Sequence, residues 1–277
     1  MNQRVLSAER GSAAIQQAIL RRREQGQKAL IPYIMAGDPD LETTKSIAQA
    51  LANAGADVIE LGMPFSDPVA DGPVIQKAGE RALRRGVTMK NLLQTVKEIR
   101  NQSNTPIVIM TYYNLFYHYG LEAYARDAAV AGVDGLIVPD LPPEEGEEFS
   151  CFLEKQGLAL VYLIAPTSTD ERIQRIARLA RGFIYYVSRM GVTGERSDIS
   201  QDLKANLQRI RAVSDLPVAV GFGVSTPEQA NMISQEADGV VIGSALVRII
   251  EESPEFPERA AAEFLKPIAD ALHGSAR

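Results

Sequence analysis

Short, continuously apolar runs recur along the chain at 30–35, 58–61, 107–111, 135–138, 158–164, 183–187, 218–220 and 239–242. They are rich in Val and Ile and do not alternate with polar residues, the pattern of strands covered on both faces. Punctuated helical stretches lie between them. Asp40 stands where it can cap a helix whose Ile47, Leu51 and Ala54 form a stripe, ending near Gly55. Ser168 and Glu171 have capping-box spacing, and Ile173, Ile176, Ala177 and Ala180 follow at i, i+3, i+4, i+7. Ser225 and Glu228 repeat that spacing, with Pro227 in the first turn, where a missing N–H costs nothing. The pattern predicts further helices at about 88–102, 121–132, 144–156, 200–213 and 257–272. Gly55, Gly132, Gly157 and Gly182 close helices before the next strand. An extra helix is expected at about 8–26, with Ile15, Ile19 and Leu20 on one side and Arg21, Arg22 and Arg23 ending it favourably against the helix dipole.

Eight strands alternating with helices over residues 29–273 predict an α/β fold, the (β/α)8 TIM barrel, with the N-terminal helix as an addition. An open doubly wound sheet usually has fewer strands, and a dinucleotide-binding one carries G-x-G-x-x-G after its first strand. Here that strand runs into Ala36-Gly37-Asp38-Pro39. No linker or composition break is visible, so residues 1–277 read as one domain, with 251–258 as a kink in the last helical region.

Bulk composition narrows the function. A formal net charge of −6 argues against nucleic-acid binding, which needs a basic surface, yet leaves room for a small phosphorylated ligand. One cysteine, Cys151, and two histidines, His118 and His273, exclude an intrachain disulfide and suggest no metal site. Cys151 falls in a helical stretch without a nearby histidine and reads as a packing residue. The N-terminus lacks the apolar core of a signal peptide and no run is long enough to span a membrane, so a cytoplasmic location is expected. Its basic helix is compatible with a plastid transit or membrane-surface segment, and packing against the barrel is the favoured reading.

In such a barrel function gathers on the loops after the strands. The second of these, DVIELGMPFSDPVADGP, is the most informative. Its strand delivers Glu60 where the apolar run stops, and Gly62, Pro64, Pro68, Gly72 and Pro73 then stiffen a loop bearing Ser66, Asp67 and Asp71. Glu60 and Asp71 are placed to form an acid–base pair; the alternative is a solvated loop whose acids cap the next helix. Glycines after strands 6, 7 and 8 (GVTG, Gly221-Phe222-Gly223 and Gly243-Ser244) read as an anion cradle or as plain turns. The segment GVTGERSD has the glycine hinges of a lid, and is equally polar for a surface loop. Asp38, Asn114 and Asp140 are catalytic by position or simply cap nearby N–H groups. Tyr33, Phe65 and Ile164 are candidates for an apolar wall or for core packing.

The string IELGMPFSDPVADGPVIQKA strongly resembles the signature of the tryptophan synthase α family, and IPYIMAGDPD, MTYYN, GLIVPDLPPEE, YYVSRMGVTGER, VGFGVS and GVVIGSALV follow in family order. The resemblance covers about residues 29–250. It implies retro-aldol cleavage of indole-3-glycerol phosphate to indole and glyceraldehyde 3-phosphate, the lyase step late in tryptophan biosynthesis, with no cofactor or metal in this chain. By the same resemblance Glu60 is the acid–base residue and Asp71 its partner on the indole N–H. Tyr33 (often Phe in the family), Tyr185, Thr193 and Gly194 would border the substrate under a closing 191–194 loop, and Gly223, Gly243 and Ser244 would hold its phosphate. The implied partner is a pyridoxal-phosphate β subunit in an αββα tetramer, faced by Asp67 and the Tyr113-Asn114 region.

The nearest competing expectation is a stand-alone lyase of the same chemistry that releases free indole. A sugar-phosphate isomerase has no need of an indole-binding acid at Asp71, and a catalytically silent barrel would be expected to have lost Glu60 or Asp71.

Overall fold

The computed structural model describes residues 10–188, 196–221 and 223–274. Nine parallel strand segments form one sheet: β1 Ala29–Met35, β2 Ile59–Gly62, β3 Ile107–Met110, β4 Gly135–Ile137, β5 Ala159–Val161, β6 Leu163–Ile164, β7 Ile184–Val187, β8 Val218–Gly221 and β9 Gly239–Ile242. The order β5-β4-β3-β2-β1-β9-β8-β7-β6 closes on itself, because β5 and β6 are two halves of one stave separated by Tyr162. Below that residue the stave pairs with β4 and above it with β7, and the Tyr162 carbonyl accepts the Tyr185 N–H at 3.1 Å. Eight staves result, at the positions expected from the apolar runs.

The helices are α1 Ser12–Glu24, α2 Leu41–Ala54, α3 Pro73–Arg84, α4 Met89–Arg100, α5 Tyr113–Tyr119, α6 Leu121–Ala131, α7 Glu147–Lys155, α8 Asp170–Leu179, α9 Arg196–Arg211, α10 Pro227–Ser234, α11 Ser244–Glu252 and α12 Pro257–His273. Asp40 caps α2, its carboxylate accepting the Thr43 N–H at 2.7 Å, and Gly55 ends that helix in the left-handed conformation. Two expected caps shift by one residue. Thr169, not Ser168, caps α8, because the Ser168 hydroxyl is taken by the Ala165 N–H; Thr226, not Ser225, caps α10 in a box with Gln229, leaving Pro227 at N1. The expected kink at 251–258 is a break between two helices, α11 and α12. Among the described residues no helix is long and apolar enough to cross a membrane.

Alternation along each stave sorts the core in two. Outward residues such as Leu30, Ile34, Leu61, Ile109, Leu160 and Ile242 pack under the helices. Inward residues, among them Ala29, Ile31, Val58, Val108, Ile137, Val161 and Val241, fill the barrel. α1 stoppers the lower end: Ile15 and Ile19 are fully buried among the inward residues, with Ala14 and Ala18 beside them and Leu20 only half-buried. Covering two isoleucines is worth about 1.5–3 kcal/mol each.

Three aspartates just before strands hold this lower rim. Asp57, Asp134 and Asp238 accept the N–H groups of Leu30, Ile107 and Val218 at 2.9, 2.8 and 2.9 Å, each tying its stave to a neighbour. Each also meets an arginine: Arg22, Arg100 and Arg211 respectively. Asp134 further accepts the Gly11 N–H at 2.7 Å, fastening the start of α1. Gly11 sits at φ 70°, where an added Cβ would lie 2.1 Å from the Gly157 carbonyl oxygen.

Candidate active site

Among the described residues, nothing fills the upper end of the barrel. A cavity of about 280 Å³ opens there, lined by Tyr33, Glu60, Ala70, Asp71, Gly72, Ile75, Met110, Pro139, Leu163, Tyr185, Val187, Gly223, Val241, Gly243 and Ser244. Parity explains Glu60: it follows inward Val58 by two residues, so the strand that packs Val58 in the barrel aims Glu60 up into the cavity. In the parallel register Glu60 lies between Tyr33 of β1 and Val108 of β3. Asp71 arrives from the other side, at the end of the β2 loop just before Gly72 and Pro73 start α3. Its backbone is fixed at both ends: its N–H donates to the Pro68 carbonyl at 3.1 Å, and Gln76 Nε2 donates to its carbonyl at 2.9 Å.

Two tyrosines wall the cavity, and each needs a glycine on the neighbouring strand. A Cβ on Gly62 would lie 2.0 Å from the Tyr33 hydroxyl, and one on Gly221 would lie 2.4 Å from that of Tyr185. The rings therefore lean across β2 and β8 into space that any larger residue would take. Met110, Leu163, Ile75, Val187 and Val241 complete a largely apolar lining.

That lining controls the acids. Glu60 is 1% exposed, and among the described residues its Oε2 has no hydrogen-bond partner. Burial, reinforced by the negative charge of Asp71, pushes its pKa up to about 8. Burial also raises Asp71, to about 6, with the Tyr112 hydroxyl acting in the opposite direction. Near neutral pH the pair therefore consists of a carboxylic acid at Glu60 and a carboxylate at Asp71, two roles set by environment.

Opposite this pair, Gly243 precedes α11 without a side-chain cap, Ser244 begins the helix, and its first turn carries no acid. Those first N–H groups and the positive end of the helix dipole face the cavity rim with Gly223, suiting an anion.

Of the sequence-derived site residues, Glu60, Asp71, Tyr33, Tyr185, Gly223, Gly243 and Ser244 come together in this one cavity. Thr193 and Gly194, and with them the 191–194 loop, lie outside the described residues. Asp67 and Asn114 are exposed and do not line it; Val69 and Tyr117, 85% and 70% exposed, lie close to them in sequence. Packing decides between the alternatives the sequence left open for Ile164, Phe65, Asp38 and Asp140, and overturns the expectation for Cys151. Ile164 faces outward and Leu163 takes the wall position, as alternation along β6 demands. Phe65 stacks on Tyr112 instead of lining the cavity. Asp38 is held by Arg81 in a bidentate pair at 2.8 Å and Asp140 accepts the Tyr113 N–H at 2.9 Å, so both are structural here. Cys151 is exposed, not packed. Sequence reasoning missed the part played by Tyr112, whose hydroxyl reaches back to the β2 loop; its place in the loop after β3 was the available signal.

A closed (β/α)8 barrel with an acid and a carboxylate sharing the cavity at its mouth defines a barrel enzyme of the acid–base class. Within that class the chain belongs to the tryptophan synthase alpha chain family, whose sequence model matches residues 19–273. It is 53% identical over 226 residues to the tryptophan synthase alpha chain of Geotalea daltonii, covering 82% of this chain and 86% of that one. With the alpha chain of Opitutus terrae the identity is 46% over 263 residues, covering 95% and 99%. Among solved structures, tryptophan synthase subunit alpha from Legionella pneumophila superposes with a TM-score of 0.86 at 39% identity, covering 94% of this chain and 98% of that one. A chain of Mycobacterium tuberculosis tryptophan synthase gives 0.86 and 39%, covering 96% and 99%.

Proposed function

We propose that this chain cleaves indole-3-glycerol phosphate to indole and glyceraldehyde 3-phosphate, as the α component of tryptophan synthase. The observation that carries the proposal is the burial of Glu60 beside Asp71 in one largely apolar cavity, which raises both carboxyls and raises Glu60 further. Glu60 gives its proton to indole C3, which interrupts the ring's aromaticity and places positive charge on the indole nitrogen. Asp71 accepts the indole N–H and stabilises that charge. Glu60, now a carboxylate, takes the proton of the C3′ hydroxyl. The C3–C3′ bond breaks, its electron pair restores the indole ring, and C3′ becomes the aldehyde carbon. The acid is regenerated within the same turnover, so one buried carboxyl serves as acid and then base.

Tyr33 and Tyr185 flank the indole, and Thr193 and Gly194 belong to the same substrate border. Gly243 and Ser244 at the start of α11, with Gly223, take the phosphate through backbone N–H groups. The reaction uses no cofactor in this chain; pyridoxal phosphate belongs to the β subunit. Asp67 and Asn114, on exposed ground beside Val69 and Tyr117, face that partner in an αββα tetramer, and the chain works in the cytoplasm.

The test is indole release from indole-3-glycerol phosphate by the purified chain, alone and with a tryptophan synthase β subunit. Slow release that rises sharply with the partner is expected. Fast release alone would make it a stand-alone lyase, and no release under either condition would overturn the proposal.

A further inference from the structure

Tyr112 lies two residues beyond the end of β3 and is 3% exposed. Two contacts brace it against the β2 loop: its ring stacks on Phe65, with centroids 5.2 Å apart and planes at 28°, and its hydroxyl oxygen accepts the Ala70 N–H at 2.9 Å. Phe65 lies near the start of the loop and Ala70 immediately precedes Asp71, so one side chain spans the acidic loop from entry to exit. A phenol oxygen that accepts an N–H still has one proton to give. The Ala70 N–H that holds the hydroxyl belongs to the residue next to Asp71, so the Asp71 carboxyl is the acidic group of that loop nearest in sequence to receive the proton.

We propose that Tyr112 is the positioning residue of Asp71: it fixes the loop through Ala70 and Phe65 and turns its hydroxyl proton onto the carboxylate, holding Asp71 ionised and aimed into the cavity. The mechanistic role assigned to Asp71 rests on the lyase reading above; the bracing of its loop through Ala70 and Phe65 does not. Among the described residues, the charged and titratable groups around Asp71 are Glu60 on β2, Tyr33 on β1, Tyr112 itself and, on the far side of Tyr112, Asp140. None of them is a cation, and no Lys, Arg or His lines the cavity among its described residues. A hydroxyl donor is therefore the group there that favours the charged form, in agreement with the direction in which Tyr112 moves Asp71.

Tyr112→Phe removes that proton and leaves the ring; Phe65→Leu removes the stack and leaves the proton. The readout is the Asp71 carboxyl resonance in substrate-free protein carrying 13C-carboxyl aspartate, identified by its loss in Asp71→Asn. Without the hydroxyl, the Asp71 midpoint is expected to rise by about one pH unit, the scale of one hydrogen bond to a charged group, and to stay put in Phe65→Leu. The lower limb of kcat/KM against pH should move by the same amount, so Tyr112→Phe loses more activity at pH 5.5 than at pH 8. An unchanged Asp71 midpoint in Tyr112→Phe would overturn the proposal and leave Tyr112 as a loop brace alone. If the midpoint moves but the wild type releases no indole, the positioning role stands and the lyase reading falls.

Discussion

Replacing Glu60 by Gln should make the protein more stable as the pH rises while abolishing most of its activity. Glu60 has an ordinary value near 4.5 in the unfolded chain and about 8 in the fold. Below 4.5 both states hold the proton and the site contributes nothing. Between 4.5 and 8 the unfolded chain has released it while the folded chain retains it. Stability is then lost as pH rises, at about 1.4 kcal/mol per pH unit. The loss is about 3 kcal/mol at pH 7 and levels off near 5 kcal/mol above pH 8. Glutamine carries no such cost, though its amide brings donors into a place where Oε2 already lacks a partner, at about 1–3 kcal/mol. That penalty is independent of pH, so the decisive quantity is the difference between the two stability curves. From pH 5.5 to 8 it should swing toward the variant by about 3 kcal/mol.

Urea unfolding of both proteins at half-unit pH intervals from 5.5 to 9 gives the curves, and indole release from the same preparations gives turnover. Turnover should fall at least ~100-fold, the lower end of what a general acid–base residue contributes. Curves that stay parallel across this range would refute the reasoning, because they would mean Glu60 is not held protonated by its surroundings.

In the wild type, kcat/KM should rise through about pH 6 as Asp71 ionises and fall through about pH 8 as Glu60 loses the proton needed at C3; a profile flat from pH 5.5 to 8.5 would contradict both assignments. Asp71→Asn should lose at least ~100-fold in turnover with an unchanged circular dichroism spectrum, and near-normal rates would remove it from the mechanism. Gly62→Ala drives a methyl group into the Tyr33 ring and should cost about 1–3 kcal/mol in urea unfolding, with much of the loss recovered when Tyr33→Leu is added. Asp134→Ala strands the Arg100 guanidinium and the N–H groups of Gly11 and Ile107; a loss of about 3–5 kcal/mol is expected, with α1 becoming sensitive to protease.

The fold was legible because strand runs covered on both faces must be apolar throughout, and that signal survives without any knowledge of neighbours. It failed where a neighbour decides. Tyr162 divides one stave into β5 and β6, since the strand changes partner there from β4 to β7. Which of Ser168 and Thr169 caps α8 depends on where the Ser168 hydroxyl finds its donor, Ala165 N–H. The short helix α5, Tyr113–Tyr119, shows no stripe long enough to read, and the Asp140 carboxylate helps start it from another loop.

The site divides along the same line. Glu60 could be placed from β2 alone, because a strand end and its parity put the side chain in the mouth of the barrel. Asp71 could be placed only by its loop, and that loop is braced from the loop after β3, forty-one residues further on, where the Tyr112 hydroxyl accepts the Ala70 N–H. The wall is less local still. Tyr33 and Tyr185 occupy room left by Gly62 and Gly221 on adjacent staves, and neither glycine differs in sequence from one in an ordinary turn. Residues that act through their own position were therefore visible in the chain. Those that act by leaving space, or by bracing another residue's loop, became visible only once the barrel had closed.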